Sequence, residues 1–237
     1  MPKQRKNNNY VNFVSDEHFL KCVKWVCDAY PKKVDIVDMN KLQKNIVDPF
    51  KMLFDIINGK ISVDDWIKNE EIRQSDKTIN NRIGEFHQKL LGGVKGWSDL
   101  GIGDDSKVDL RNDNNTIFIE LKNKFNTVNA DSLSKVRDKL SLVVTNNPKA
   151  TAYWAYIIDK DGSSGEASWN YLGDNNHKIK RVWGARVYSL VTGDSNALER
   201  TWESLPNAIS DLLGKEHKLN PNEMVKLIQF FKSAFLN

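Results

Sequence analysis

The chain has 237 residues, of which 40% are hydrophobic and 28% charged, and its formal net charge at pH 7 is +4. This length provides ample material for a hydrophobic core. The 2 cysteines exclude a disulfide framework, and no apolar run reaches the length of a membrane span. The polar residues 2–9 do not resemble a signal peptide, so we expect a cytoplasmic protein. The mild positive charge permits a nucleic-acid partner without requiring one.

The first part of the chain is predicted to be helical. Helices are expected at residues 15–30, 40–58 and 62–74, the last with Ser62 as its N-cap. A fourth helix is expected from Lys77 to Leu91, because its apolar residues recur at helical spacing and two glycines follow it. This apolar stripe comprises Ile79, Ile83, Phe86, Leu90 and Leu91.

A β-hairpin is predicted between Lys107 and Asn126. The four polar residues 112–115 favour a turn, because short polar side chains bond their own backbone and tolerate left-handed conformations. Val108 and Leu110 lie in the strand before the turn, and the β-branched and apolar run Thr116–Lys122 forms the strand after it. Side chains alternate along a strand, so one face carries Ile117, Ile119 and Leu121 and the other carries Phe118, Glu120 and Lys122.

The hairpin is expected to bring two carboxylates and an ammonium group together. Glu120 and Lys122 share one face, and Asp109 lies within reach on the partner strand. Two converging carboxylates repel each other unless a cation lies between them, and hard oxygen ligands suit Mg²⁺. A lysine beside the metal can orient or deprotonate a water and stabilise charge on a phosphate. The alternative is a hairpin with a simple cross-strand ion pair.

Alternating helices and strands are predicted beyond the hairpin. A helix is expected at residues 130–144, where Leu133, Val136, Leu140 and Val143 are in phase. Strands are expected at 152–158 and 185–191, and helices at 195–213 and 221–236.

This order of elements predicts an α/β fold, a mixed β-sheet flanked by helices with a helical N-terminal region. We place that region at residues 1–75 and the main domain, including the C-terminal helices, at residues 76–237.

The segment around the hairpin resembles a known family. Val108-Asp109 followed by Glu120-Leu121-Lys122 resembles the PD-(D/E)XK nuclease signature, with Val in place of the usual Pro. The flanking segments Gly96–Gly101 and Asn123–Thr127 are similar to type II restriction endonucleases, in particular the group that cuts GGNCC-like palindromes. The resemblance covers roughly residues 78–145. It implies a restriction-endonuclease-like core and a Mg²⁺-dependent endonuclease that cuts double-stranded DNA at a short palindromic site.

The resemblance also implies the composition of the active site. In such nucleases a glutamate from the preceding helix often joins the metal cluster, a role that falls here to Glu85, beside the small Gly84. The alternative for Glu85 is an ordinary helical ion pair with Lys89. The implied catalytic residues are Glu85, Asp109, Glu120 and Lys122, and the implied metal ligands are Glu85, Asp109, Glu120 and Leu121.

Two segments are predicted to contact DNA. Lys160–Arg181 has the glycines and asparagine pairs of a loop, and its Lys178, Lys180 and Arg181 are candidates for reading base edges. The alternative is a surface insertion whose lysines are only solvated. The second segment, residues 123–129, follows the catalytic strand, so we expect it to contact phosphates. Its candidate residues are Asn123, Lys124, Asn126 and Asn129.

Two other functions are compatible with these residues. A structure-selective repair or junction nuclease shares the chemistry, and a non-catalytic DNA-binding protein can share the scaffold. The complete acid, acid and lysine set favours catalysis, and the large polar insert favours sequence-specific cutting. Because each chain supplies one active site, double-strand cutting at a palindrome predicts a homodimer.

Overall fold

The computed structural model describes residues 9–30, 47–101, 106, 108–214 and 219–235. The chain divides into two compact units, one formed by residues 1–24 and 84–237 and the other by residues 25–83. The domain boundary predicted between residues 75 and 76 stays a prediction.

The helices are set by local signals that the sequence carries. Asp48 caps one helix by accepting the backbone N–H groups of Phe50 and Lys51, and Asn129 caps another through Ser132. The first residues of the helix predicted at 40–58 lie outside the described residues. The α-helices are α1 Asp16–Cys27, α2 Pro49–Gly59, α3 Val63–Gly92, α4 Ala130–Asn146, α5 Ala185–Thr192, α6 Ala197–Leu213 and α7 Pro221–Phe235.

One mixed sheet of 6 strands is the framework of the larger unit, in the order β1-β2-β3-β4-β6-β5. Strands β3, β4 and β6 run parallel, whereas β1, β2 and β5 pair antiparallel with their neighbours. The predicted α/β fold with a mixed sheet and flanking helices is confirmed. The strands are β1 Trp97–Asp99, β2 Leu110–Asn112, β3 Ile117–Lys124, β4 Thr151–Ile158, β5 Gly165–Ser168 and β6 Ile179–Trp183.

Helix α4 packs on one face of this sheet and builds a core there. The predicted helical stripe is buried, with Val136, Leu140 and Val143 packed in the same cluster as Phe118 and Trp154 of β3 and β4. The alternation predicted for β3 is confirmed on this face, since Phe118 packs in this cluster and Glu120 bonds Lys139 of the same helix.

One predicted helix boundary and one predicted element type were wrong. The helices expected at 62–74 and 77–91 form the single helix α3, because residues 74–77 contain neither Gly nor Pro to interrupt it. The strand expected at 185–191 is helix α5. Its β-branched residues suit a strand, but Val187, Tyr188 and Val191 follow helical spacing and are buried together.

The prediction of a loop from Lys160 to Arg181 was also wrong in part. This segment contains β5 and the first residues of β6, which complete the edge of the sheet. The almost fully buried guanidinium of Arg137 on α4 anchors it, donating to the Trp169 carbonyl (2.6 Å) and to the Asp174 carboxylate (3.0 Å). In the described ranges, no helix is long and apolar enough to cross a bilayer.

Candidate active site

The hairpin turn sets the register that builds the site. The Asn112 side chain accepts the backbone N–H groups of Thr116 (2.9 Å) and Ile117 (2.8 Å). Asn115 adopts a positive φ of 55°, a conformation that asparagine tolerates better than most residues. Leu110 pairs with Ile119, so the residue before β2 lies beside the middle of β3. The predicted hairpin and its turn are confirmed.

Asp109 is held beside β3 by its backbone and its side chain. Its N–H donates to the Ile119 carbonyl (3.0 Å), and its own carbonyl accepts from Leu100 (3.0 Å). The Asp109 Oδ2 atom accepts the N–H of Leu121 at 2.7 Å. These bonds place one carboxylate at the point where the pairing of β2 with β3 ends.

Glu120 and Lys122 meet Asp109 at this point. Glu120 is 4% exposed, and its Oε1 accepts from the Lys122 ammonium at 2.8 Å. The same ammonium lies 3.7 Å from Asp109 Oδ2. Lys122 is therefore shared between two carboxylates, the arrangement expected from the alternation of β3.

A second lysine, not singled out in the sequence, completes this group. Lys139 of α4 donates to Glu120 Oε2 at 2.7 Å, so each oxygen of the Glu120 carboxylate has its own ammonium partner. The helical periodicity could have predicted that Lys139 faces the sheet, since this residue lies between Val136 and Val143 on the buried stripe. A lysine at helical spacing within a buried stripe needs an anionic partner.

Burial and mutual charge shape the titration of the site. Burial raises the pKa of Asp109 above its ordinary value, and the Glu120 carboxylate raises it further against the opposing effect of Lys122. Burial alone would lower the pKa of Lys122, but the Asp109 and Glu120 carboxylates outweigh it and hold that pKa above its ordinary value. Lys122 is thus a cation at neutral pH.

The oxygen atoms at this point suit a hard divalent cation. In an extended strand the N–H and C=O of one residue point to the same side, so the Leu121 carbonyl lies on the side of β3 where Asp109 accepts the Leu121 N–H. Two carboxylates and a carbonyl fit Mg²⁺, which takes one or two carboxylates and keeps its waters. Among the described residues, no three His, Cys, Asp or Glu side chains come close enough to hold a metal together. Glu85 is therefore not brought together with Asp109 and Glu120.

Glu85 lies on an exposed face of α3 near the end of β3. A Cβ atom on the neighbouring Gly84 would lie 3.8 Å from the Cβ of Asn123, which is ordinary van der Waals contact. An alanine would therefore also fit at this position, so the approach of helix and strand does not require a glycine. A metal-binding role for Glu85 stays a prediction.

The predicted phosphate-contacting residues follow β3 directly. Lys124 and Asn126 are exposed, whereas Asn129 uses its side chain to cap α4. The Asn123 Oδ1 atom is buried and has no hydrogen-bond partner in the part of the chain that the structure describes. Their contact with DNA stays a prediction.

The predicted base-reading residues lie on or beside β6. Lys178 donates to the Pro148 carbonyl (2.5 Å), and Lys180 pairs with Glu166 (2.8 Å). Arg181 lies beside Trp154 in the register of β6 with β4. Its Nε atom is buried, and no described residue accepts its hydrogen.

The chain is similar to type II restriction enzymes over most of its length, which confirms the resemblance stated from the sequence. The model of the Eco47II restriction endonuclease family matches residues 11–214. Type II restriction enzyme Sau96I of Staphylococcus aureus is 29% identical over 240 residues, covering 97% of this chain and 91% of that enzyme. Type II restriction enzyme Eco47II of Escherichia coli is 33% identical over 216 residues, covering 86% and 89%. The range that the family model matches contains all six strands and Lys139.

Proposed function

The chain belongs to the Eco47II restriction endonuclease family and is a type II site-specific deoxyribonuclease, and on this premise we propose that it hydrolyses DNA with Mg²⁺ at a short palindrome of the GGNCC type. One observation carries the proposed chemistry. Asp109, Glu120 and Lys122 converge, with the Lys122 ammonium 2.8 Å from one carboxylate and 3.7 Å from the other. The GGNCC target rests on the resemblance of the segments that flank these residues.

Asp109, Glu120 and the Leu121 carbonyl would hold the metal ion, with Glu85 contributing through a water. When bound, Mg²⁺ lowers the pKa of a coordinated water and neutralises charge on the phosphate. The two carboxylates need little rearrangement for this. Asp109 is fixed through the Leu121 N–H, and Glu120 is fixed through Lys139.

Lys122 would act as a fixed positive charge beside the attacked phosphate. Its ammonium would donate to the attacking water or a phosphate oxygen and stabilise the charge that develops there. Its side chain is 32% exposed, which leaves the ammonium free to turn from the carboxylates toward a bound strand.

DNA would contact two surfaces of the larger unit. Asn123, Lys124, Asn126 and Asn129 would bind phosphates next to the scissile bond, and Lys178, Lys180 and Arg181 would read bases. Lys180 has a physical reason to prefer a new partner. It can exchange Glu166 for a guanine, since Arg186 also bonds Glu166 (2.9 Å) and would remain.

A homodimer would place one active site on each strand of the palindrome. Two-fold protein symmetry then matches the two-fold symmetry of the site, and both strands are cut in one binding event.

The proposal is tested by digesting plasmid DNA with and without Mg²⁺ and sequencing the fragment ends. We expect discrete fragments whose ends share one GGNCC-like site, and no cutting with a chelator or in Glu120→Gln. That substitution keeps the side-chain volume but removes the ligand charge, and the exposed Glu199→Gln is the matched control. Ends without a common sequence, or cutting confined to branched DNA, would contradict the proposal and favour a structure-selective nuclease.

A further inference from the structure

Glu120 is the most constrained acidic side chain of the site. It is 4% exposed, and its two oxygens accept from different ammonium groups, Oε1 from Lys122 and Oε2 from Lys139. The two lysines come from different elements, one from the same strand and one from helix α4. They also differ in their other neighbours, since Lys122 is shared with Asp109.

Only one of these lysines can stay with Glu120 during the proposed reaction. The Lys122 ammonium lies between the two carboxylates, where a metal ion would bind, so it has to move when that space is filled. Lys139 contacts the other oxygen of Glu120 and does not lie between the carboxylates. A carboxylate this deeply buried needs a cation or several donors at all times, because an unpaired buried charge is strongly unfavourable.

We propose that Lys139 is a positioning residue, which holds Glu120 Oε2 so that Oε1 stays directed toward Asp109 when Lys122 turns to the substrate. The inference rests on the proposed function. Packing of helix α4 fixes the position of the Lys139 backbone, because the neighbouring Val136 and Leu140 are buried against the sheet. Partners that orient the ligands of a catalytic metal typically change activity by about 10- to 100-fold when removed.

The alternative is that Lys139 contributes only general positive charge for DNA. The chain offers a matched control, since Lys135 lies one turn earlier on α4 and is exposed. A role in DNA attraction would affect both lysines alike and raise KM. A positioning role would lower kcat in Lys139 variants only.

The activity experiment measures kcat and KM on plasmid DNA at saturating Mg²⁺ for the wild type, Lys139→Ala, Lys139→Arg and Lys135→Ala. We expect Lys139→Ala to lower kcat about 10- to 100-fold with KM within about twofold. Lys139→Arg should recover most of the loss because it restores a charged donor, and Lys135→Ala should match the wild type. Equal kcat for Lys139→Ala and the wild type would overturn the inference, as would a rise in KM without a fall in kcat.

A second measurement does not depend on cleavage. Urea unfolding without metal is compared for Lys139→Ala, Glu120→Gln and the double variant. If the lysine acts through Glu120, the loss of stability in the double variant is smaller than the sum of the two single losses, because Glu120→Gln has already removed the charge pairing with Lys139. Additive losses would overturn the inference. A wild-type protein that cuts no DNA would instead refute the proposed function.

Discussion

Replacing Lys122 with methionine tests whether this ammonium lies where the metal ion binds. The substitution keeps most of the apolar stem and removes the charge that lies 2.8 Å from Glu120 and 3.7 Å from Asp109. We expect two opposite effects. Cleavage should fall by about 100-fold or more, because a charge that stabilises the transition state is lost. Binding of Mg²⁺ to the DNA-free protein should become tighter, because the metal no longer competes with the ammonium for the same two carboxylates.

The expected gain in metal affinity follows from the distances. Two unit charges about 4 Å apart interact with about 4 kcal/mol at an effective dielectric constant of 20, and a divalent ion doubles this repulsion. Most of this repulsion is relieved because Lys122 can turn its partly exposed side chain into solvent. A residual of about 1–2 kcal/mol, equivalent to a Kd roughly 5- to 30-fold lower, is the expected effect.

Titration calorimetry with Mg²⁺ measures this affinity without DNA. Lys124→Met is the matched control, because it makes the same charge change at the exposed end of the same strand. Its metal affinity should equal that of the wild type. An unchanged or weaker affinity in Lys122→Met would refute the reasoning, since it would mean that the ammonium does not occupy the metal position.

Three further predictions concern stability, DNA reading and assembly. His87 lies 2.7 Å from the Tyr188 hydroxyl, and burial lowers its pKa from 6.5 to about 4. The unfolded chain therefore binds more protons between these values, and the free energy of unfolding should drop by about 1–3 kcal/mol as the pH falls through them. Urea unfolding at pH 7, 5.5 and 4.5 should show a smaller drop in the free energy of unfolding for His87→Asn than for the wild type. An equal dependence of this free energy on pH in both proteins would contradict the prediction. Lys180→Ala and Arg181→Ala should each weaken cognate binding by about 1–3 kcal/mol per lost guanine contact. Measured at two salt concentrations, an equal loss on non-cognate DNA would indicate phosphate contact instead. Sedimentation on cognate DNA should detect two chains per site, and a monomer in both free and bound states would contradict the homodimer.

The central hairpin could be read from the sequence because its signals are local. The turn at residues 112–115 is specified by side chains that bond their own backbone, and the alternation of β3 follows from backbone geometry alone. The meeting of Asp109 with Glu120 follows from this register. Both carboxylates lie within one short stretch of chain, so no long-range packing had to be known.

Elements whose type depends on packing were predicted less well. Residues 185–192 have strand-like composition but form a helix, because burying Val187, Tyr188 and Val191 on one side outweighs intrinsic preference. Residues 165–168 contain few strand-forming side chains, yet they pair with β6 because an edge of the sheet is available to them. Local composition does not reveal the core against which residues 185–192 pack, nor the strand with which residues 165–168 pair.

The sequence by itself determined the family, the α/β order of elements and the acid, acid and lysine set, since each depends on residues close together along the chain. Only the tertiary structure decided that Lys139 meets Glu120, although 19 positions separate them. The physical reason lies in how helices pack. Periodicity predicts which face of a helix is buried, but the side chain that this face meets depends on how the helix docks on the sheet.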